Sequence, residues 1–507
     1  MRFFTRRKIV AGLAGGGALA SLSPYFRSGQ LLSEPVGSDV AGLRPEYSTL
    51  TKYFIDPGNV TGAASDQNSG LSPESPWATL EKWRTNARAG SIGLVRECRT
   101  SISTGAIKGP LLNPENEGSS PESPIVLANY PGEVVVLDRN QNDSALVGTF
   151  NRDFIWYDGL VFDGGNRNAT LGYWYGDSKP PIGCKFRHCT FQNVRLDTDD
   201  GSEGGKVSAG GKGHIYIRNG RGGVIEHCRF ADISMNNPNP NLDTITAYFQ
   251  EDFTFQYNVF ENCATSSLYR DKNQAANDHG VSRFYRNYTA PSCTGKAFAI
   301  GDGWGSERDS KLVSTYHFDE NLIAHGGIIG AERDPAEHGR FVGYRFKNNT
   351  IIGAGVFSTP GNDRGYVDIE DFEIYNNISF NSKYGWIWSG SSKSHHSLPL
   401  DKLLAIADYN AFINTEDAFK ARWSRSPAPS EEYSQNEWKS LPGRPDANSV
   451  FSQRDPFRDS ANFDYRLLLD SNLRGAGKSN GLASGYSVDM GCFFAEYWLP
   501  EAGPKPM

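Results

Sequence analysis

Residues 255–260 read Phe-Gln-Tyr-Asn-Val-Phe, and residues 346–351 read Phe-Lys-Asn-Asn-Thr-Ile. Related segments, each with an apolar first residue and Asn or Cys in fourth place, occur at 186–191, 225–230, 284–289, 318–323 and 374–379. The fourth positions lie 28 to 39 residues apart, and a weaker member of the series covers 156–162. A period of about 20 to 50 residues is typical of a repeat architecture.

Each repeat is too short to bury its own apolar face, so successive repeats must stack. Stacked strands pair in parallel about 4.8 Å apart, with the Phe and Ile positions inside. The Asn in fourth place is predicted to adopt the left-handed backbone conformation and to bond through its side chain to the Asn above and below. The sequence therefore predicts an all-β fold, a single-stranded right-handed parallel β-helix.

Composition agrees with strands and turns. The chain of 507 residues has 55 Gly, 29 Phe and 23 Tyr but only 4 Met, and 21% of its residues are charged. A net charge of −7 gives no global basic field for nucleic acid, so an anionic substrate would need a local basic cleft. The 7 Cys include no CxxC pair, which excludes the common zinc templates, and we expect buried small side chains with at most one bridge.

The N-terminus has the form of an export signal. Thr5-Arg6-Arg7-Lys8 precedes a mildly apolar run over Ile9–Leu22, as in twin-arginine signals, and a plain secretory signal is the alternative. No later stretch approaches the roughly 18 apolar residues of a membrane span. We therefore expect an exported, periplasmic or extracellular protein without a membrane span.

Five segments are predicted along the chain. The export signal covers 1–22, a linker 23–50, the N-terminal cap and first coils 51–137, the β-helix 138–395, and C-terminal coils with an irregular cap 396–507. The cap is predicted to contain a helix that begins at Ser75-Pro76-Trp77, with Trp77, Leu80, Trp83 and Ala87 on one apolar face. Gly90 is expected to end it.

Several of these segments resemble one known group of proteins. The Tyr53-Phe54-Ile55-Asp56-Pro57 opening, the Ser75-Pro76-Trp77 helix, the Ile125–Glu133 segment and the Asn repeats resemble secreted right-handed parallel β-helix proteins of the pectate lyase-like superfamily, including chondroitinase B and alginate lyases. The resemblance covers about residues 50–395, and Val488–Phe493 resembles the closing segment of such proteins. It implies a polysaccharide lyase, in which Lys and Arg carry the chemistry on one face of the solenoid.

Counting from each Asn locates the neighbouring strand of the coil and its exit loop. These strands are predicted at His214–Arg218, Thr244–Tyr248, Ser267–Lys272, Ala297–Asp302, Gly327–Arg333 and Val356–Ser358. Alternation directs Ile215, Ile217, Ile245 and Ala247 inward, and Arg218, Tyr248, Gln250 and Arg270 outward. The exit loops at 271–279, 301–309 and 331–338 are long and charged. Stacking should join them into one ridge, where aromatic rings can stack on sugars and cations can bind carboxylates.

Cleavage of a uronate polymer by β-elimination needs a base, a neutraliser for the carboxylate and an acid for the leaving oxygen. Lys272 or His279 is the predicted base, and Arg270, Arg308 or Arg333 the predicted neutraliser. The residues predicted to contact the sugar are Tyr248, Asp302, Trp304, Glu332 and His338. For any one of these residues, a solvated loop side chain is the alternative.

The acidic turn with Asp197, Asp199 and Asp200 could hold Ca²⁺ through oxygen ligands, although it lacks the order of an EF-hand. The expected partner is an acidic polysaccharide or oligosaccharide, bound by a monomer. A glycoside hydrolase would use paired carboxylates such as Asp302 with Glu332. A uronate epimerase shares the proton abstraction, and a non-catalytic solenoid that binds polysaccharide or mediates adhesion needs no titratable cluster. These alternatives stay open at the level of the sequence.

Overall fold

The structure, a computed structural model, describes residues 40–101, 112–138, 147–149, 151–164, 167–172, 180–196, 213–218, 220–235, 243–248, 250–272, 280–300, 313–327, 329–331, 339–354, 357–358, 367–382, 404–414, 421–423, 431–479 and 488–492. The chain divides into two compact units, residues 1–49 and 50–507. The described part of the first unit contains a 3-10 helix at Pro45–Tyr47. The second unit is a β-solenoid of stacked parallel strands, which confirms the predicted all-β class.

Three long sheets run along the solenoid, and each coil contributes one strand to a sheet. The first sheet consists of Thr51–Ile55, Ser91–Val95, Ile125–Asn129, Ile155–Asp158, Lys185–Arg187, Val224–Glu226, Thr254–Gln256, Val281–Tyr285, Val313–Asp319, Arg345–Lys347, Phe372–Tyr375 and Leu404–Asp408. Gly339–Val342 and Val367–Glu370 extend it beside Val313. The second sheet consists of Cys98–Ser101, Val135–Asp138, Leu160–Asp163, Thr190–Gln192, Arg229–Met235, the first part of Val259–Lys272, Tyr288–Thr289, Leu322–Ile323, Thr350–Ile352, Ile378–Phe380, Ala411–Ile413 and Val450–Ser452.

The third sheet carries the strands that the sequence placed beside the exit loops. It consists of Val147–Gly148, Arg167–Gly172, Gly213–Arg218, Asp243–Tyr248, the last part of Val259–Lys272, Thr294–Ile300, Ile329–Ala331 and Phe357–Ser358. The second and third sheets are joined because Val259–Lys272 is one continuous strand. Outside the three sheets, Arg195–Leu196 pairs with the end of Arg229–Met235, and two antiparallel pairs join Ala421–Trp423 to Glu431–Tyr433 and Phe457–Asp459 to Asp464–Leu467.

The repeated apolar positions form columns inside the solenoid. Phe284, Phe318 and Phe346 lie in register on successive coils, with ring centroids 4.8 Å and 5.1 Å apart. A second column stacks Phe230 on Phe260 at 4.9 Å. Burying one such side chain stabilises the fold by about 1.5–3 kcal/mol, so the columns supply much of the driving force for stacking.

The predicted Asn ladder is present at the corner between the first and second sheets. Each side-chain Nδ2 donates to Oδ1 of the Asn one coil further along, at 2.9–3.0 Å, through the series Asn258, Asn287, Asn321, Asn349, Asn377 and Asn410. The same Nδ2 atoms also donate to backbone carbonyls of the preceding coil, for example from Asn321 to Phe284. All six side chains are completely buried. Two bonds per amide compensate for its loss of water.

The left-handed conformation at this corner belongs to the residue before the Asn, and the prediction for the Asn itself was wrong. Positive φ angles of 49° to 61° occur at His188, His227, Tyr257, Arg286, Glu320, Asn348, Asn376 and Tyr409. The Asn must turn its amide inward to reach the next rung, so the neighbouring residue makes the bend. Asn348 and Asn376 are ladder neighbours that occupy this bend themselves.

The N-terminal helix begins later than predicted. It covers Leu80–Asn86, and its N-cap is Thr79, whose hydroxyl accepts from the Lys82 amide. Trp77, Leu80, Trp83 and Ala87 are all buried in the core, as predicted, but only Leu80 and Trp83 lie within the helix. The helix ends at Asn86 with Ala87 as its C-cap, before the predicted end at Gly90. The capping hydroxyl of Thr79 and the extended backbone there decide where the first turn starts.

The ladder ends at a polar cluster that contains Trp438 and Asp446. Asn410 donates from Nδ2 to Asp446 Oδ1 at 3.0 Å, and Trp438 donates from Nε1 to Asp446 Oδ2 at 2.9 Å. Trp438 lies on the helix Gln435–Ser440, which begins at a capping box between Ser434 and Glu437. A 3-10 helix at Ser460–Asn462 follows.

All seven cysteines are free thiols, and six of them are buried. This agrees with the expectation of buried small side chains, without the single bridge that was the alternative. Among the described residues, no helix is long and apolar enough to cross a membrane.

Candidate functional site

The third sheet alternates between interior and outer side chains. Ile215 and Ile217 belong to the core, as do Ile245 and Ala247 on the next coil, which confirms the predicted inward positions. Tyr216 and Arg218, between and after the first pair, therefore lie on the outer face. Tyr216 is nonetheless only 4% exposed.

Three residues at the ends of adjacent strands form a lateral row on this sheet. Arg218 is in register with Tyr248, and Tyr248 is in register with Lys272. Parallel strands lie about 4.8 Å apart, so the row places a guanidinium, a phenol and an ammonium-bearing residue on three successive coils. For Lys272 the structure describes the backbone position only.

Tyr216, Arg218 and Tyr248 make direct contact, and we name them the Arg218 cluster. The guanidinium lies 6.0 Å from the centroid of the Tyr248 ring, and its Nη1 donates to the Tyr216 hydroxyl at 3.4 Å. The two phenol rings are 5.6 Å apart and tilted by 56°. A cation beside tilted aromatic rings is suited to a sugar that carries a carboxylate, because the ring faces pack on the sugar and the guanidinium binds the anion.

Arg270 occupies the neighbouring row, in register with Thr246. Its Nε lies 3.2 Å from Asp243 Oδ1, and its Nη2 donates to Ser267 Oγ at 3.4 Å. Arg270 is 7% exposed and Asp243 is completely buried. The charge of Arg270 is therefore already matched by a carboxylate inside the protein, and breaking such a buried pair is costly.

A polar network lies inside the solenoid beneath the same strand ends. Asp271 is completely buried, and its Oδ2 accepts from Gln250 Nε2 at 2.9 Å and from the hydroxyl of Tyr316. Gln250 Nε2 also donates to the hydroxyl of Tyr269. Tyr344 packs edge to face on Tyr316, with ring centroids 5.3 Å apart.

The phenols around Asp271 stay protonated. Burial raises the pKa of Tyr269, Tyr316 and Tyr344 well above the ordinary value, and the negative charge of Asp271 raises each of them further. A phenol that keeps its proton can act as a hydrogen-bond donor at any working pH. The network is therefore built to hold a carboxylate.

His214 is the second residue of the strand Gly213–Arg218 and is completely buried. Burial lowers its pKa to about 3, and a hydrogen bond to the backbone of Ala231 offsets this only in part. The imidazole is therefore neutral near pH 7.

The predicted site residues divide by what the structure describes. Tyr248 and Arg270 have described side chains, and Lys272 has a described backbone. The other predicted residues lie outside the described residues: His279, Asp302, Trp304, Arg308, Glu332, Arg333, His338 and the calcium candidates Asp197, Asp199 and Asp200. Within the described ranges, no group of three or more His, Cys, Asp or Glu side chains could hold a metal ion.

Sequence reasoning missed two features and misplaced one residue. Arg218 was placed correctly on the outer face but was not selected for the site. Asp271 was not selected either, although alternation assigns it to an interior position, where a carboxylate is unusual. Gln250 was predicted to face outward, but it is completely buried because it binds Asp271 and Tyr269.

Comparison with known proteins finds likeness only among solved structures. No protein-family model and no curated protein match the chain. The chain is similar to pectate lyase Pel9A, with 13% identity, a TM-score of 0.47 and coverage of 88% of this chain and 96% of that one. It is also similar to a rhamnogalacturonan lyase, with 11% identity, a TM-score of 0.37 and coverage of 69% and 86%.

A third similar structure is a mannuronic acid specific polysaccharide family 6 lyase from human gut microbiota, with 12% identity, a TM-score of 0.37 and coverage of 73% and 81%. These three neighbours are polysaccharide lyases.

Proposed function

We propose that the protein is an exported enzyme that cleaves a uronate-containing polysaccharide by β-elimination on the outer face of the third sheet. The observation that carries the proposal is the row in which Arg218, Tyr248 and Lys272 occupy matching positions on three successive coils. The row combines a group for the sugar carboxylate, a surface for the sugar ring and a residue that can take a proton.

Each member of the row has a role in the elimination. Arg218 binds the uronate carboxylate and neutralises the charge that develops when the neighbouring carbon loses its proton. Lys272, as a neutral amine, accepts that proton. The electron pair left on carbon forms a double bond within the uronate ring as the adjacent glycosidic C–O bond breaks, and the leaving oxygen takes up a proton from water. Tyr248 lies between the two and packs on the ring.

Arg218 replaces Arg270 as the favoured neutraliser among the described residues. Arg270 is paired with Asp243 in a buried position, whereas Arg218 is partly exposed on the outer face. Transfer of Arg270 to a substrate would leave Asp243 buried without its cation, which costs several kcal/mol, about 3–5 by analogy with other buried pairs. Arg270 therefore supports the strand and Arg218 meets the substrate.

Export belongs to the same proposal and rests on Arg6-Arg7 and the apolar run that follows. A polymer-degrading enzyme has to meet its substrate outside the cytoplasm. N-terminal sequencing of the protein recovered from the periplasm or medium checks this, because a chain that still begins at Met1 would contradict removal of a signal.

The direct test is a panel of acidic polymers: alginate, pectate, chondroitin and glucuronan. Elimination leaves an unsaturated uronate that absorbs in the near ultraviolet, and we expect this absorbance to rise on at least one polymer. Parallel reactions with EDTA and with added CaCl₂ test whether the reaction uses Ca²⁺, the ion that the acidic turn with Asp197, Asp199 and Asp200 could hold. The purified protein should behave as a monomer in size-exclusion chromatography with light scattering.

Other outcomes identify the alternatives. New reducing ends without ultraviolet absorbance would indicate a glycoside hydrolase. Exchange of solvent deuterium into the polymer without cleavage would indicate an epimerase. Binding of the polymer without cleavage or exchange would indicate a non-catalytic binding solenoid. Each of these three results contradicts the proposal of a lyase.

Lys272→Ala is expected to abolish elimination, with a loss of at least about a thousandfold in kcat, because the base is removed. Lys296→Ala is the matched control, since Lys296 lies in the same sheet on the next coil, in register with Ser267 and away from the row. Wild-type turnover by the Lys272 variant would exclude this lysine as the base.

A further inference from the structure

One interior column of side chains beneath the third sheet changes from apolar to polar at one coil. Ile217 is in register with Ala247, and Ala247 with Asp271. On the following coil Ile300 continues the core. Of these four described positions, only the one at Asp271 is polar, and Asp271 is completely buried.

Stability alone does not account for a carboxylate in this column. Moving an ionised carboxylate out of water costs several kcal/mol even when hydrogen bonds compensate for part of the loss. An alanine or isoleucine, as on the neighbouring coils, would avoid that cost. The solenoid nevertheless supplies donors from distant segments, because Tyr316 lies 45 residues further along the chain and Gln250 lies 21 residues before Asp271.

The network joins two walls of the solenoid at the point where the proposed site begins. Asp271 and Tyr269 lie among the last four residues of the strand Val259–Lys272, whereas Tyr316 lies on the strand Val313–Asp319 of the first sheet. Asp271 is followed directly by Lys272. The hydrogen bonds to Asp271 therefore connect the strand backbone just before Lys272, in the third sheet, to the first sheet.

We propose that Asp271 is a positioning residue, which holds the strand end through Gln250 and Tyr316 and so keeps the backbone of Lys272 in the row with Tyr248 and Arg218. The inference rests on the proposed elimination at this site. Asp271 does not touch the substrate, since its side chain is enclosed by the solenoid interior. It acts through the backbone and through its negative charge.

The test compares kcat, KM and the pH profile of kcat/KM on the polymer that gives the largest ultraviolet signal. Asp271→Asn keeps the size of the side chain and removes the charge. We expect kcat to fall about tenfold with KM changed less than about twofold, because misalignment affects the reacting geometry more than binding. The acid limb of the pH profile should move down by about one pH unit, since a lysine loses its proton more easily without a nearby negative charge.

Two further variants separate positioning from simple support of the fold. Tyr316→Phe keeps the carboxylate and removes one donor, so we expect a smaller loss of kcat, about threefold, and no downward shift of the acid limb. Ile300→Ala removes apolar packing on the next coil of the interior. It should lower the melting temperature and leave the acid limb where it is.

The outcomes distinguish this inference from the proposed function. An active wild-type protein whose Asp271→Asn variant keeps both kcat and the acid limb would overturn the positioning role alone. A folded wild-type protein that eliminates none of the polymers would overturn the proposed function and the positioning role with it. A variant that melts lower but shows the expected shift of the acid limb supports the inference, because loss of stability alone does not move a pH profile.

Discussion

The corner between the first and second sheets and the interior beneath the third sheet both bury polar side chains, but they do so differently. At the corner the Asn ladder repeats one amide on six successive coils, from Asn258 to Asn410, and each amide bonds to the next. Beneath the third sheet, Asp271 has apolar residues, Ala247 and Ile217, at the described positions in register with it, and it takes its donors from Gln250 and Tyr316.

This difference distinguishes buried polar groups that build the fold from a buried polar group that belongs to the proposed site. A polar group that returns on every coil is satisfied by its own copies and contributes to stacking, as any solenoid of this kind requires. A polar group that appears on one coil needs partners of its own and gains nothing from the repeat. Such a group marks a coil whose interior differs from that of its neighbours. Here the third-sheet strand of that coil ends at Lys272.

Breaking the ladder in its middle should have the largest effect on stability. Asn321→Ala removes the acceptor for the backbone and side-chain donors of Asn287, and the donor to Asn349. We expect a loss of roughly 3–5 kcal/mol in the free energy of unfolding, because several buried polar groups lose partners together. Urea denaturation followed by circular dichroism measures it.

The control for that variant is Asn462→Ala, an exposed Asn that bonds to Asp459. It should cost less than about 1 kcal/mol. Equal losses of unfolding free energy in the Asn321 and Asn462 variants would show that the buried ladder bonds contribute no more to stability than an exposed hydrogen bond.

The pH dependence of stability should come from single groups and not from the ladder, since amides do not titrate. The folded pKa of His214 is lowered to about 3, whereas the unfolded chain has the ordinary value near 6.5. Stability is therefore complete above about pH 6.5 and is lost as the pH falls towards 3, because the unfolded state takes up the proton first. At pH 4.5 the loss from His214 should be roughly 2–3 kcal/mol.

His214→Gln tests this by removing the titrating group. The difference in unfolding free energy between pH 7.5 and pH 4.5 should be smaller in the variant than in the wild type. Part of the difference should remain, since burial also lowers the pKa of His317 and His325 to about 4. An unchanged difference would mean that His214 is accessible to protons in the folded state.

The smallest expected effect comes from lengthening the ladder. The rung before Asn258 is Cys228, whose backbone amide already donates to Asn258 Oδ1 at 2.9 Å. Cys228→Asn would add a side-chain donor to the same oxygen, and we expect a gain of at most about 1 kcal/mol in urea denaturation. Cys492→Asn is the control, because this buried thiol lies outside the ladder and an amide there should destabilise.

Much of the fold could be predicted because it depends on repetition. The spacing of the Asn residues and the flanking Phe positions identified the columns, the ladder and the strands of the third sheet. The left-handed bend was assigned one residue too late, since the motif shows that a corner exists but not which residue turns. The helix start was misplaced for a similar reason: Ser75-Pro76 and Thr79 both have the form of a start, and only the local backbone chooses Thr79.

The candidate site was less accessible from the sequence. Alternation placed Arg218 and Tyr248 correctly, because both follow the regular pattern of their strands. It failed at Gln250, where a polar residue lies inside. The compensating Tyr316 belongs to a segment that meets Asp271 only after two further coils have stacked. The alternation of side chains along one strand contains no information about partners that come from other coils.

The ladder has a direction along the solenoid. Every Nδ2 donates towards the coil nearer the C-terminus, so the side-chain amide dipoles line up with their positive ends pointing the same way. At that end stands the carboxylate of Asp446, which accepts from Asn410 and from Trp438. A negative group at the positive end of aligned dipoles is the arrangement that an acidic N-cap gives to an α-helix. The carboxylate of Asp446 also has no donor to offer a further rung, so the column of amides ends there electrostatically.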